Sequence, residues 1–246
     1  MVSCKRVSEA GDRVSIGSSR AIEAVPRSVV NITVHGIGPA GRDRGGDDDP
    51  TWVSTAQFEQ VLDAVVGRSD VRLTFDDGNA SDVEVALPRL VERGLTAEFF
   101  VLAGKLGERG HLDRAAVRSL LDAGMAIGSH GWSHRDWRRI DETQAHQEFY
   151  EAHWVLAEIT GAPVSRVAIP FGSYDRHVLC RLKAAGVTRA YTSDGGRTRA
   201  DGWLQARTSI RRDLDAEWID RVLNPDTSLV HRARGSAVRT VKRLRG

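Results

Sequence analysis

Hydrophobic residues along the chain follow two different spacings. Short apolar runs rich in β-branched and aromatic residues, such as 29–34 and 71–75, are typical of buried strands. Other segments repeat their apolar positions every three or four residues, as amphipathic helices do. One such helix is predicted to begin at Ser54, where Gln57 three residues later favours a capping box.

The two kinds of segment alternate along most of the chain. Strands separated by helices are typical of parallel βα units. About seven such units in one domain-sized chain predict an α/β fold in which the strands form a closed or nearly closed barrel. The predicted strands cover 29–34, 71–75, 96–102, 125–128, 164–169, 187–192 and 207–210.

Composition narrows the class of protein. The 246 residues are 41% hydrophobic and 28% charged, as in ordinary globular proteins, and no apolar run approaches the roughly 20 residues that cross a bilayer. A net charge of +2 is too small to indicate nucleic-acid binding.

The first thirty residues lack the apolar stretch of a signal peptide, so we expect a cytoplasmic location. Cys4 and Cys180 are compatible with that reducing compartment.

Polar residues follow the ends of five predicted strands. In a parallel barrel the carboxyl ends of the strands converge on one face, where active sites are built. We therefore expect these side chains to meet at one mouth of the barrel. The residues are His35, Asp76, Asp77, His130, 170–172 and Asp194.

Two of these segments carry candidate metal ligands. His130 and His134 are spaced so that one helical turn would present both imidazoles to the same ion. Asp76 and Asp77 leave a strand in different directions, so one carboxylate can face a metal while the other faces the substrate. Each segment alone also has a plain structural interpretation, because Asp and Gly favour turns and isolated histidine pairs are often solvated.

These motifs resemble the polysaccharide deacetylases, also called NodB-homology or carbohydrate esterase family 4 enzymes. The family motif TFDDG matches 74–78, and its H-(S/T)-x-x-H motif is matched by 130–134. The resemblance implies a distorted (β/α) barrel of about seven parallel strands. It also implies that Asp76 is the catalytic base and that Asp77, His130 and His134 bind Zn²⁺ or a similar divalent metal.

The third and fourth family motifs are altered. The third normally contains an arginine that pairs with the catalytic aspartate, but the corresponding segment 167–174 has none. We hypothesise that Arg207, on the last predicted strand, replaces it and supports the ionised form of Asp76. Asp194 either orients that arginine or is only an Asp-Gly turn residue, and both interpretations stay open.

The C-terminal histidine that usually serves as general acid is also missing. Some family members, including poly-N-acetylglucosamine deacetylases, supply this acid from an N-terminal strand, and 32–36 looks similar to that arrangement. We therefore predict that His35 protonates the leaving amine. The alternative is a histidine that only satisfies a hydrogen bond at the barrel end.

Three aromatic residues are expected near the mouth. Trp132 lies between the two histidines, and Phe171 and Tyr174 follow the third-motif strand. They are candidates to stack on a sugar ring or to line an acetyl pocket, although packing alone explains each of them and is preferred for Tyr174. Backbone N–H groups at Phe171 and Gly172 are candidates to stabilise an oxyanion.

The resemblance also suggests how the chain is divided. We expect a loose leader over 1–27, a deacetylase domain over 28–225 and a basic tail over 226–246. Six Lys or Arg residues follow position 231, and no acidic residue follows Asp226. The tail is interpreted as a solvated end, with weak contact to an anionic membrane as the alternative.

The expected activity is removal of an N-acetyl group from an amino sugar in a glycan or glycan precursor. Two alternatives stay open. The same fold hydrolyses other non-peptide C–N bonds, such as those of cyclic ureides, and a closed pocket with several arginines would favour that substrate. The missing third-motif arginine and C-terminal histidine also suggest a glycan-binding relic without catalysis, although the intact Asp76 argues against it.

Overall fold

The computed structural model describes residues 26–39 and 49–224. The predicted basic tail, and the predicted leader apart from its last two residues, lie outside this part of the chain. Among the described helices, none has both the length and the apolar composition needed to cross a bilayer.

Seven parallel strands close into a barrel, which confirms the predicted fold class. Their order is β1-β4-β5-β6-β7-β8-β10, and β10 pairs with β1 to complete the ring. The closing register places Asn31 beside Arg207, and a single residue pair, Ser129 and Val167, joins β6 to β7. The strands are β1 (Ser28–Val34), β2 (Gly36–Ile37), β3 (Trp52–Val53), β4 (Val71–Phe75), β5 (Ala97–Val101), β6 (Ala126–Ser129), β7 (Arg166–Ala168), β8 (Arg189–Thr192), β9 (Arg197–Arg199) and β10 (Leu204–Ser209).

Helices connect the strands. The capping box predicted at Ser54 and Gln57 is present at the start of the first helix. A π-helical segment over Asp82–Ala86 leads into the helix Leu87–Glu92. Another over Gln147–Glu151 joins the helices Glu142–His146 and Ala152–Thr160, so this helical stretch contains a wider turn. The α-helices are α1 (Thr55–Val65), α2 (Leu87–Glu92), α3 (Arg114–Asp122), α4 (Glu142–His146), α5 (Ala152–Thr160), α6 (Arg176–Ala184) and α7 (Ala216–Leu223).

Alternation along the strands separates an apolar outer layer from a polar barrel interior. On the outside, Phe75 stacks on Phe99 with ring centroids 4.5 Å apart and meets the ring of Phe58 from α1 at 6.0 Å. On the inside, the Thr33 and Thr74 hydroxyls are 3.1 Å apart. The polar side chains of the site therefore stand on strands whose other faces are fixed by the core.

Two short pairings had no counterpart in the sequence prediction. β2 and β3 contribute two residues each and pair in parallel, and β9 adds an antiparallel strand to β1. The β9 sequence is Arg-Thr-Arg, which has no hydrophobic run. Segments this short lack the periodicity on which strand prediction depends.

Candidate active site

Asp76 and Asp77 leave the carboxyl end of β4 in a tight turn. The Asp76 N–H donates to the Val34 carbonyl at 3.0 Å, which continues the sheet by one residue. Asp77 then has φ 74° and Gly78 φ 66°. The left-handed region is unfavourable for a residue with a Cβ, and residues held in such strained conformations cluster at functional sites. The turn buries Asp76 and leaves Asp77 half-buried.

Arg207 on β10 forms a bidentate ion pair with Asp76. Its two terminal nitrogens donate to the two carboxylate oxygens at 2.6 and 2.7 Å. Both side chains are almost fully buried, and the guanidinium lies over the rings of Phe100 and Tyr191 at 5.3 and 5.6 Å. Burial opposes ionisation of Asp76, but Arg207, followed by His130, outweighs it and holds the pKa of Asp76 well below its ordinary value. Asp76 is therefore a carboxylate at neutral pH.

Asp77, His130 and His134 converge on one point. One ligand atom from each residue lies within 4.8 Å of the others, as a shared metal ion would require. The Nε2 atoms of His130 and His134 are 3.5 and 3.7 Å from Oδ1 of Asp77. Oδ2 of Asp76 lies 3.8 Å from Nε2 of His130, so the second carboxylate adjoins the cluster.

The two imidazoles are in the neutral form that can offer a nitrogen lone pair to a metal. Nδ1 of His130 lies 2.8 Å from the Ala168 carbonyl, which fixes the proton on Nδ1 and leaves the Nε2 lone pair facing the cluster. Burial lowers the pKa of His130 to about 3 and also lowers the pKa of His134. Both rings are uncharged at neutral pH, the state in which imidazole binds a metal.

The helical turn predicted for these histidines is wrong. Residues 130–134, which we call the histidine loop, form an irregular segment after β6. Gly131 has φ 83° and His134 has φ 58°, so two residues of the loop adopt left-handed backbone conformations. Both imidazoles reach the same point because of this folded loop and not because of helical spacing.

Glu148 holds the histidine loop in place, and sequence reasoning missed it. The carboxylate accepts hydrogen bonds from the N–H groups of Trp132 at 2.8 Å and Ser133 at 3.1 Å, and from the indole of Trp137 at 3.1 Å. It is completely buried. The available signal was a glutamate spaced to share a helix face with Ala145 and Ala152, where an unpaired charge would be costly.

His35 lies at the mouth, beside the carboxylate. It follows β1, and its carbonyl accepts a hydrogen bond from Asn79 at 2.6 Å. Its imidazole is close enough to Asp76 to contribute to the low pKa of that carboxyl. Nδ1 of His35 is buried and has no hydrogen-bond partner among the described residues.

The segment after β7 places one aromatic ring at the mouth and another beneath it. Phe171 is 64% exposed and its ring meets the ring of His134 edge-on at 4.3 Å. Tyr174 is buried, and its hydroxyl donates to Asp194 at 2.7 Å, as the packing interpretation expects. The N–H of Gly172 already donates to the Ile169 carbonyl at 2.9 Å, so it is a poor oxyanion donor.

The two remaining predicted site residues support the surrounding structure. Asp194 accepts hydrogen bonds from Tyr174 and from the Thr192 hydroxyl, the latter at 3.0 Å, and so ties the β8 end to the third-motif segment. Trp132 is half-buried, and its carbonyl accepts from the Gly104 N–H at 2.9 Å. A Cβ at Gly104 would overlap the indole, so the close approach needs glycine.

Together, the barrel and the cluster at its mouth define a hydrolase-like α/β barrel with a candidate metal centre. Residues 64–190 match the sequence profile of the family described as polysaccharide deacetylase, and the chain belongs to that family. This confirms the resemblance drawn from 74–78 and 130–134.

Several relatives and solved structures are similar to this chain. A peptidoglycan-N-acetylglucosamine deacetylase of Bacillus cereus is 26% identical over 132 residues, 51% of this chain and 46% of the relative. A chitin deacetylase of Pestalotiopsis sp is 30% identical over 134 residues, 54% of this chain and 44% of the relative. The chain thus spans less than half the length of these two relatives. The Streptococcus pyogenes deacetylase PplD, solved with acetate, has a TM-score of 0.71 at 18% identity, covering 81% of this chain and 100% of that one.

Proposed function

We propose that this chain is a metal-dependent N-deacetylase that releases acetate from an N-acetylated amino sugar. The observation that carries the proposal is the cluster of Asp77, His130 and His134 beside Asp76, a carboxylate that is kept ionised. Family membership supports the same reaction class. The names of the two relatives above, which specify peptidoglycan N-acetylglucosamine and chitin, support a sugar substrate.

The donor set fits a divalent metal. Two neutral imidazoles and one carboxylate are ligands that Zn²⁺ accepts, and three protein ligands leave coordination positions open for water and substrate. A bound divalent cation supplies Lewis acidity, which lowers the pKa of water towards about 7 and polarises a carbonyl oxygen. In this chain Asp77, His130 and His134 would hold it.

Asp76 accepts the proton of the attacking water. The water oxygen bonds to the acetamide carbon, and the C–N bond then breaks to give acetate and a free amine. Arg207 engages both oxygens of Asp76 and so fixes the carboxylate's orientation as well as its charge. A low pKa makes Asp76 a weak base, so a divalent cation held by Asp77, His130 and His134 would have to supply the acidity of the water that Asp76 deprotonates.

His35 donates the proton that the leaving amine needs. Its unpartnered, buried Nδ1 and its nearness to Asp76 support this role. A general acid must carry a proton that it can donate to the departing nitrogen, and an imidazole can do so in its protonated form.

A sugar suits the mouth better than an anionic heterocycle. Phe171 presents an exposed aromatic ring next to His134, as stacking on a sugar requires. Arg207 is buried and committed to Asp76, so it is not available to bind an anionic substrate. The retained and paired Asp76 also argues against a glycan-binding relic. The cytoplasmic location stays a prediction, so soluble precursors and polymers are both candidate substrates.

Acetate release from a panel of N-acetyl sugars and oligomers tests the proposal. We expect release that stops with chelator and returns with zinc. Asp76→Asn should lower the rate by about 10²- to 10⁴-fold, as loss of a general base does. Asp122→Asn, on the exposed face of α3, should match the parent protein. Release that persists with both chelator and Asp76→Asn would exclude this mechanism.

A further inference from the structure

Arginine side chains gather at the barrel end opposite the metal centre. Arg72, Arg166 and Arg189 occupy the first or second positions of β4, β7 and β8, and the amino ends of parallel strands lie together. Arg27 precedes β1, and Arg199 ends the antiparallel β9, so both belong to the same end. The proposed deacetylation uses none of these residues.

A cavity of about 790 Å³ opens at this end of the barrel. That volume lies within the range of small-molecule sites, roughly 300–1,000 Å³. Four of the seven residues that line it carry a guanidinium, and one carries a carboxylate. The lining consists of Pro26, Arg27, Arg72, Arg189, Arg199, Ala200 and Asp201.

Nearby carboxylates are already engaged. Asp201 pairs with Arg199 at 2.8 Å. Glu98, just inside the barrel, accepts from the Tyr191 hydroxyl at 2.8 Å and pairs with Arg166 at 2.8 Å. Within the described part of the chain, no carboxylate lies within the 4.0 Å ion-pair distance of the other three arginines in the cavity wall. The wall therefore carries a net positive charge.

Arg72, which lines this cavity, has an unmatched donor. Its Nη2 donates to the Ala200 carbonyl at 3.1 Å, while Nη1 is buried with no hydrogen-bond partner among the described residues. Burial, and after it the positive charge of Arg189, lower the pKa of Arg72. A buried donor without an acceptor is costly, so an anion here would relieve both the missing hydrogen bond and the like-charge repulsion.

We propose that this cavity is a second binding site, for a small phosphate-bearing anion held by Arg27, Arg72 and Arg189. Guanidinium groups present paired donors that match phosphate oxygens two at a time. A phosphate or pyrophosphate group carries enough oxygens and charge to engage several of them together, whereas one carboxylate offers two oxygens. The site is distinct from the sugar site, because it lies at the amino ends of the same strands.

Isothermal titration calorimetry of the full chain with inorganic pyrophosphate and with phosphate tests the site. We expect saturable binding that weakens as ionic strength rises. Arg72→Gln/Arg189→Gln should weaken it by at least about tenfold, since two charge-assisted contacts are lost. Arg114→Gln/Arg118→Gln, which removes the same charge from the exposed face of α3, should bind like the parent protein. If the first double variant fails to fold, Arg27→Gln tests the same site, because it changes an exposed residue of the cavity wall.

Two vesicle preparations separate a free phosphate from a lipid headgroup. Co-sedimentation with phosphatidic acid vesicles, but not with phosphatidylcholine vesicles, would assign the site to a headgroup if Arg72→Gln/Arg189→Gln abolishes it. Binding of pyrophosphate alone would assign it to a soluble ligand. Equal binding by the parent protein and by the variants of the cavity wall would overturn the proposal. So would a parent protein that binds neither the soluble anions nor the vesicles.

Discussion

Replacing Arg207 by methionine tests how Asp76, the proposed general base, is kept ionised. Methionine keeps an apolar side chain of similar length in the barrel, but it removes both hydrogen bonds to Asp76. Asp76 is then a buried carboxylate without its main counter-charge. The variant therefore isolates the ion pair from the packing around it.

The structure sets the size of the expected effect. The side chains of Arg207 and Asp76 are 1% and 4% exposed, so solvent screens the pair little. Removing one partner of such a buried pair typically costs about 3–5 kcal/mol, a large part of the stability of one domain. The double variant Asp76→Asn/Arg207→Met should lose much less stability, because no unpaired charge is then left buried.

The loss should also depend on pH. In the parent protein the pKa of Asp76 is below its ordinary value, so its stabilising contribution is present at neutral pH and is lost as pH falls. In Arg207→Met burial raises the pKa of Asp76 instead, so the penalty is full at neutral pH and is relieved when acid protonates the carboxyl. The difference between the two proteins must therefore shrink as pH falls.

Urea unfolding at pH 7 and pH 5, with chelator present, measures the unfolding free energies. The proteins compared are the parent, Asp76→Asn, Arg207→Met and the double variant. A loss below about 1 kcal/mol for Arg207→Met at pH 7 would show that the pair behaves like an exposed one, contrary to its burial. A loss that is the same at both pH values would also contradict this reasoning.

In the deacetylation assay, Arg207→Ala should move the acid limb of the pH–rate profile to higher pH. An unchanged profile would show that Arg207 does not tune the pKa of Asp76.

Three further predictions follow from the site and its supports. Glu148→Gln should raise the zinc dissociation constant by about tenfold or more in a chelator-competition titration, because the histidine loop loses its charged acceptor, and unchanged affinity would contradict this. Gly172→Ala should lower the unfolding free energy by more than Gly94→Ala does. Both glycines have positive φ, but only at Gly172 would the added Cβ crowd a backbone nitrogen, at 2.8 Å. Asp70→Asn should cost roughly 1 kcal/mol at neutral pH and nothing below pH 2 in acid-titrated unfolding. The hydrogen bond from Arg68 is the main cause that lowers the pKa of Asp70 to about 2. The ionised carboxylate therefore stabilises the fold at pH values above the ordinary pKa of Asp, and this stabilisation is lost as pH falls towards 2.

The barrel and the candidate metal cluster were predictable because local patterns encode them. Alternating strand and helix periodicity predicted seven parallel strands, and the ends of two of them carry Asp77 and His130. Convergence of strand ends on one face then brought these distant segments together. The histidine loop was mispredicted because nothing in the residue type of His134 indicates a positive φ.

The supports of the cluster were harder to find. The Arg207–Asp76 pair joins residues 131 positions apart, and only the missing third-motif arginine pointed to a replacement. Glu148 binds the histidine loop from 15 to 16 residues further along the chain, and the only signal of this contact was a charged residue on an apolar helix face. Contacts of this kind depend on how elements pack, and a single sequence records such packing only where a residue breaks the local pattern.

The most direct measurement is a crystal structure of the zinc-soaked protein, with anomalous data on both sides of the zinc edge. We expect one strong peak per chain, about 2.0–2.2 Å from the Nε2 atoms of His130 and His134 and from an oxygen of Asp77. The peak should vanish in His134→Ala. A well-ordered site without such a peak, or a peak whose ligands exclude Asp77, would contradict this expectation.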